Sequence, residues 1–307
     1  MKNLIIGNGF DLDLGLKTRY SDFAKSPQWT DLYESFNHAE ENNLAGFLKE
    51  KAKEDEWFSI EKHLAEYVKE KISQGDFEHV SDDQWFFELL EEHLNTYLEL
   101  ESANIQEKDS LAKKILNLMN KEKIFDKIYT FNYIPHDALH EWCGFEYEKD
   151  ISYVHQRLNC GIVLGVAEND ITDDRYSFLR KVNHQSYQST NLGNDLMKAD
   201  EVVFFGHSLN TIDFDYFRDF FKACSKYNDV KQVDRHITII TKDERAILSI
   251  KNHLTTNGIS VTLLNQYSHL SFVALDDYYR GDEVESDTIN RLMSRLDGRM
   301  NTKKVKT

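Results

Sequence analysis

The start of the chain constrains its fold most. The apolar residues Leu4, Ile5 and Ile6 run straight into Gly7-Asn8-Gly9-Phe10-Asp11. A short apolar run that breaks at once on glycines is the usual way an α/β protein brings its backbone against a phosphate. The dinucleotide fingerprint is incomplete, because its third glycine would fall at position 12, where Leu12 stands, and the next glycine is Gly15. Residues 2–7 are therefore expected to be a buried strand ending in a phosphate-facing turn, without the full signature.

Further apolar or β-branched runs follow: KIYTF ending at Phe131, ISYVH ending at His155, GIVLGV from Gly161, EVVFFG ending at Gly206, HITIIT ending at Thr241 and ISVTLL ending at Leu264. Helical stretches at 212–227 and 243–254 separate several of them. Strands alternating with helices predict an α/β fold, a Rossmann-like parallel sheet with helices on both faces. Before these runs, Trp57, Ile60, Leu64, Tyr67, Val68 and Ile72 recur at three- and four-residue spacing. Trp85 through Leu98 and Leu111 through Met119 repeat the pattern, so about 31–120 reads as a helical module inserted after the first strand. With only Pro27 and Pro135 and no low-complexity stretch, one body spanning 1–307 is expected, closed by a C-terminal helix and basic tail at about 275–307.

Charge narrows the partners. Between residues 31 and 109, 22 Asp and Glu stand against 7 Lys, so nearly all of the net charge of −16 belongs to the helical module. Such a surface repels nucleic acid, and suits instead a second copy of the chain, a regulatory protein or a phage protein. No run approaches the ~20 apolar residues of a membrane span. The opening run is also too short for a signal peptide, so a cytoplasmic protein without a membrane partner is expected. Cys143, Cys160 and Cys224 form no Cys-x-x-Cys pair and offer neither a disulfide framework nor a zinc site, so no metal is expected.

In a parallel sheet the ligand sits beyond the carboxyl ends of the strands. Those ends carry Gly7 to Asp11, then Thr130-Phe131-Asn132, then His155, then Gly206-His207-Ser208, a set suited to a nucleotide. Each residue also has a plain structural role open to it. Asn132 caps a helix, His155 fills a core, Asp11 closes a turn, and Asp213 and Asp215 are first-turn acids of a helix.

The stretches IIGNGFDLDLGLKTRYSDF, TFNY, Tyr153-Val154-His155 and FFGHSLNTIDFDYF resemble the bacteriophage abortive infection AbiH family and, through it, the sirtuin-like superfamily, over about residues 3–265. The resemblance implies that Gly7, Gly9, Gly15 and Thr18 belong to a loop wrapping the phosphates of NAD. It likewise implies that Thr130 and Asn132 form the Thr-x-Asn motif, that His155 is the catalytic histidine, and that Gly206, Ser208 and Leu209 lie near the adenosine. Asn8, Phe10, Asp11 and His207 complete the expected nucleotide contacts. The chain departs from the pattern at Gln156, where glycine is usual, and lacks the four-cysteine module of the deacylating members. The implied activity is NAD cleavage, by glycohydrolysis or ADP-ribosyl transfer, in phage defence. Asn132 orients the nucleophile, and His155 takes its proton. A nucleotide-binding sensor without turnover is the alternative.

Overall fold

Strands apolar on both faces must be covered on both, and that requirement organises the chain. The computed structural model describes residues 1–37, 42–56, 58–103, 109–135, 151–226 and 234–297. Six strands pair in parallel: β1 (Lys2–Ile6), β2 (Lys127–Thr130), β3 (Ile151–Tyr153), β4 (Glu201–Phe205), β5 (His236–Thr241) and β6 (His269–Ala274). They lie side by side in the order β3-β2-β1-β4-β5-β6. Ile6 stands level with Thr130 on one side and Phe205 on the other, so the central strands end flush.

Alternation along β1 divides the core. Leu4 and Ile6 join Val203, Phe205, Ile240 and Val273 on one face. Helices α1 (Asn8–Asp13), α7 (Leu111–Lys121) and α13 (Glu283–Leu296) cover that face. Ile5 joins Phe204, Ile237 and Ile239 on the other, under α8 (Leu192–Lys198), α9 (Arg218–Cys224), α10 (Glu244–Thr256) and α11 (Val261–Tyr267). A short helix, α12 (Leu275–Tyr279), leads from β6 to α13. The tail at 298–307 lies outside the described residues.

Between β1 and β2 the chain builds a helical lobe from α2 (Tyr20–Phe23), α3 (Pro27–Phe36), α4 (Leu44–Glu54), α5 (Ile60–Gln74) and α6 (Val80–Ala103). Helix starts are fixed by side-chain caps: Ser26 accepts from Trp29 N, Asn43 from Gly46 N and Ser59 from Lys62 N. The third apolar run, at 111–119, is helical too, but its residues pack on the sheet rather than in the lobe.

Two expected strands are corrected. GIVLGV makes a single bridge, Val166 to Arg180. Its Gly161 and Gly165 take positive φ, and Ile162, Leu164 and Val166 bury beneath the lobe instead. ISVTLL forms most of α11, because the Ser260 hydroxyl caps it by accepting from Leu263 N, and the cap outweighs the β-branched composition. The sixth strand is HLSFVA, half exposed at the sheet edge, so its polar residues mask the apolar pattern. The expected helix at 212–227 is a 3-10 turn at Phe214–Tyr216 followed by α9, and 227 lies outside the described residues. Among the described residues, no helix is long and apolar enough to cross a membrane.

One carboxylate pins the lobe together. Fully buried Asp83 accepts from Leu44 N at 2.7 Å, Tyr67 OH at 2.8 Å and Tyr176 OH at 3.1 Å. Burial pushes its pKa up, and these three donors oppose the shift. Asp83→Ala would strand all three donors in the interior, so it should cost about 2–4 kcal/mol in urea unfolding, with Asp83→Asn costing less.

Candidate functional site

The strand order reverses between β1 and β4, and there the loops leaving their carboxyl ends cross. Gly7 N donates to Phe205 O, and Gly9 N donates to Gly206 O, each at 2.9 Å. A Cβ on Gly7 would lie 2.5 Å from His207 Cα, and one on Gly9 would lie 2.6 Å from Gly206 Cα. Gly206 itself holds φ of +68°, and a Cβ there would meet Phe10 N at 2.3 Å. These glycines are required because two backbones pass without room for a side chain. The N–H groups of Gly7 and Gly9, expected to face a phosphate, point at β4 and its loop instead.

Beside this crossing opens a cavity of about 290 Å³. Gly7, Asn8, Asp11, Thr18, Asn132, His155, Gly206, His207 and Ser208 line it, so strand ends and loops distant in sequence meet in one space. Tyr20, Leu94 and Leu98 close it from the lobe. Three expected contacts lie elsewhere. Phe10 is core, edge-on to Phe205 at 5.0 Å. Thr130 is buried below the cavity, where its hydroxyl accepts from Asn132 N at 3.1 Å. Gly9 faces a second cavity of about 410 Å³ beyond the crossing, which holds Arg19, Lys242 and Ser249 and shares Asn8, Gly206 and Ser208 with the first.

The Asn132 side chain is held by the segment that follows β1. Its Nδ2 donates to Gly7 O at 3.1 Å, and its side chain also bonds Asp11. Burial pushes the Asp11 carboxyl up to about 7, and the Asn132 bond opposes that rise. Phe131 wedges between two imidazoles, edge-on to His155 at 5.2 Å and to His207 at 4.5 Å. His207 Nδ1 accepts from Leu209 N at 3.0 Å, which leaves Nε2 as the protonated nitrogen of a neutral ring. Its pKa is pushed down to about 4, first by burial and then by the charges of His155 and Lys181, against the pull of Asp213.

Behind His155 lies a buried charge cluster. His155 Nε2 stands 3.2 Å from Asp213 Oδ1 and 3.2 Å from Lys181 Nζ. Lys181 reaches Asp213 at 3.2 Å and Glu61, on the first turn of α5, at 2.8 Å. Burial alone would raise the Asp213 pKa, but the Lys181 ammonium and then His155 hold it far below the usual carboxylate range. Burial would deprotonate Lys181, and Asp213 and Glu61 together keep it charged. Two carboxylates share one ammonium with the His155 imidazole beside them, so this end of the cavity carries no net positive charge.

Sequence reasoning missed Glu61, Lys181 and Asp213 in this role. Asp213 was expected to be a first-turn acid, as Asp215 is, exposed and 2.7 Å from Arg218. Glu61 did carry a signal. It precedes Ala65, Val68 and Ile72 at helical spacing, an acid standing in the apolar stripe of α5. Lys181 lies in a short 3-10 turn with no periodicity, and nothing in the sequence marks it.

The family model described as "Bacteriophage abortive infection AbiH" matches residues 4–233, which take in β1 through β4 and every residue of the charge cluster. No curated protein matches the chain, and no solved structure does. Lys181→Met would leave Glu61 and Asp213 buried without a cation, at an expected cost of about 3–5 kcal/mol near pH 7 in chemical denaturation. The depressed Asp213 pKa gives stability that is present above the unfolded carboxylate pKa and lost as pH falls through the folded value. Between pH 7 and 5 the parent keeps that contribution in full, whereas in the variant burial without a cation raises the Asp213 pKa and proton uptake relieves the buried charge, so the gap between parent and variant should narrow as pH falls from 7 toward 5.

Proposed function

From the premise that this chain belongs to the bacteriophage abortive infection AbiH family, we propose that it acts in phage defence by cleaving NAD at the nicotinamide–ribose bond. The observation that carries this reading is the pairing of Asn132 and His155 in one cavity backed by Asp213, Lys181 and Glu61. Loss of nicotinamide builds positive charge on the ribose, and an excess of carboxylate at that end favours it. A phosphate group would be repelled there. In this reading the diphosphate and adenosine extend across the shared Asn8, Gly206 and Ser208 into the neighbouring cavity, whose lining sets Arg19 and Lys242 against Asp13 and Asp276.

In this reading Asn132 positions the ribose and the attacking oxygen. His155 accepts the proton of water or of an acceptor hydroxyl, and Asp213 stabilises the imidazolium that results. Lys181 holds Asp213 and His155 in place, and Asp11 receives ribose hydroxyls beside Asn132. Hydrolysis gives ADP-ribose and nicotinamide, while a protein acceptor in place of water gives an ADP-ribosylated product. The acidic lobe is the surface on which a second copy or a phage protein would regulate turnover.

A sensor that binds the nucleotide without cleaving it is the second reading, and the residue that bears on it is Gln156, where glycine is usual. Gln156 weighs less on that side than its identity suggests. It holds φ of +61°, the left-handed backbone that glycine would take, so the turn after His155 keeps a glycine-like geometry.

Purified protein incubated with NAD should release nicotinamide, and Asn132→Ala and His155→Ala should each lower the rate by about 10²-fold while the far-ultraviolet circular dichroism stays that of the parent. The rate should rise as pH passes about 7, where the Asp11 carboxyl ionises. Asp11→Asn should flatten that limb. A parent that binds NAD and releases no nicotinamide under any activating condition would establish the sensor reading.

A further inference from the structure

At the opposite edge of the sheet, β5 and β6 begin with histidines in register, His236 level with His269. Arg235 O accepts from His269 N at 2.8 Å, so the ladder extends one residue ahead of β5 and fixes the backbone there. Alternation puts residues 234 and 236 on one side and 235 on the other. Arg235 follows that rule, donating to Ala199 O at 2.8 Å and Met197 O at 2.9 Å on the far side. Asp234 therefore shares a face with both imidazoles.

The three side chains converge. Asp234 Oδ1 lies 2.8 Å from His269 Nε2 and 3.8 Å from His236 Nε2, and all three ligating atoms fall within 4.8 Å of one another. The two rings stack with centroids 4.6 Å apart. One carboxylate oxygen satisfies one imidazole at hydrogen-bond distance and leaves the other short of it. A tetrahedral ion with bonds of about 2.0–2.1 Å would separate its ligand atoms by about 3.3 Å, between the two distances observed. Asp234 and His269 are exposed and His236 is half-buried, and the two rings must turn out of their stack to aim both lone pairs at one ion. The Arg295 guanidinium bears on His236 from the same region, but its charge is committed to Glu201 at 2.7 Å.

We propose that Asp234, His236 and His269 form a binding site for a divalent transition-metal ion, Zn²⁺ by the character of its donors. Two imidazole nitrogens and one carboxylate oxygen suit Zn²⁺, Co²⁺, Ni²⁺ or Cu²⁺, whereas Mg²⁺ and Ca²⁺ take oxygen ligands. A fourth position is left for water. The site sits at the amino ends of the strands, away from the cavity at their carboxyl ends, so its ion would clip the edge strand β6 to β5 rather than take part in chemistry.

The test uses the full chain without an affinity tag, stripped with a chelator and titrated with ZnCl₂ by calorimetry. A saturable isotherm is expected. His269→Ala and Asp234→Asn should each weaken one equivalent of binding by at least about 10-fold. His253→Ala, which lies outside the cluster, should leave the isotherm unchanged. Cobalt gives a second readout, because the visible absorption of tetrahedral Co²⁺ should be lost in His236→Ala while the far-ultraviolet circular dichroism stays that of the parent. Absence of saturable Zn²⁺ binding overturns the proposal, and so does an isotherm that neither His269→Ala nor Asp234→Asn alters. Neither result depends on whether the chain cleaves NAD.

Discussion

The backbone crossing at the ends of β1 and β4 is the constraint on which the rest depends. Gly7, Gly9 and Gly206 exist at their positions because any Cβ there would meet backbone at 2.6 Å or less. Backbone cannot retreat as a side chain can, so a methyl group at these points would push the two strand ends apart. The crossing brings Asn8 and Ser208 onto one ridge with a cavity on either side. It also fixes Gly7 O, which orients the Asn132 amide. The geometry of the candidate site thus follows from where two loops are allowed to touch.

Lys181 makes the second junction. Its ammonium meets Glu61 from the lobe and Asp213 from the sheet side, so one buried cation joins two bodies with separate hydrophobic clusters. Buried charges of this kind are poor stabilisers compared with apolar packing, because desolvation offsets most of their attraction. Their value lies in position. Tyr97 OH on Lys17 O, and Lys17 N on Glu101, hold the lobe to the first loop at a separate point. The lobe is thus tied at two points that flank the cavity.

What the sequence disclosed follows the same division. Periodicity resolves elements wherever burial is one-sided or complete, so the strands at 2–6, 127–130, 201–205 and 236–241 and the lobe helices α5 and α6 were legible, as was the half-buried strand at 151–153 by its β-rich composition. It fails where a cap or an edge decides. Ser260 turned a β-branched run into a helix, and the half-exposed HLSFVA hid a strand. Within the site, residues that follow a strand were legible because topology alone places them at the sheet edge. Lys181 was not, since its meeting with Glu61 depends on how the lobe packs, and Glu61 stood out only as an acid in an apolar stripe, with nothing to show what it would meet.

The glycine motif shows how the same residues admit two explanations that only geometry separates. A strand ending in Gly-Asn-Gly looks like a phosphate cradle, whose essential parts are unspent N–H groups. Here the N–H groups of Gly7 and Gly9 are already bonded, and the charges that line the adjoining cavity are carboxylates. A phosphate placed beside Asp11, Glu61 and Asp213 would lose its hydration and gain repulsion, whereas a group that becomes cationic during reaction gains attraction that grows toward its transition state. The cavity is therefore better matched to developing positive charge than to a resident anion.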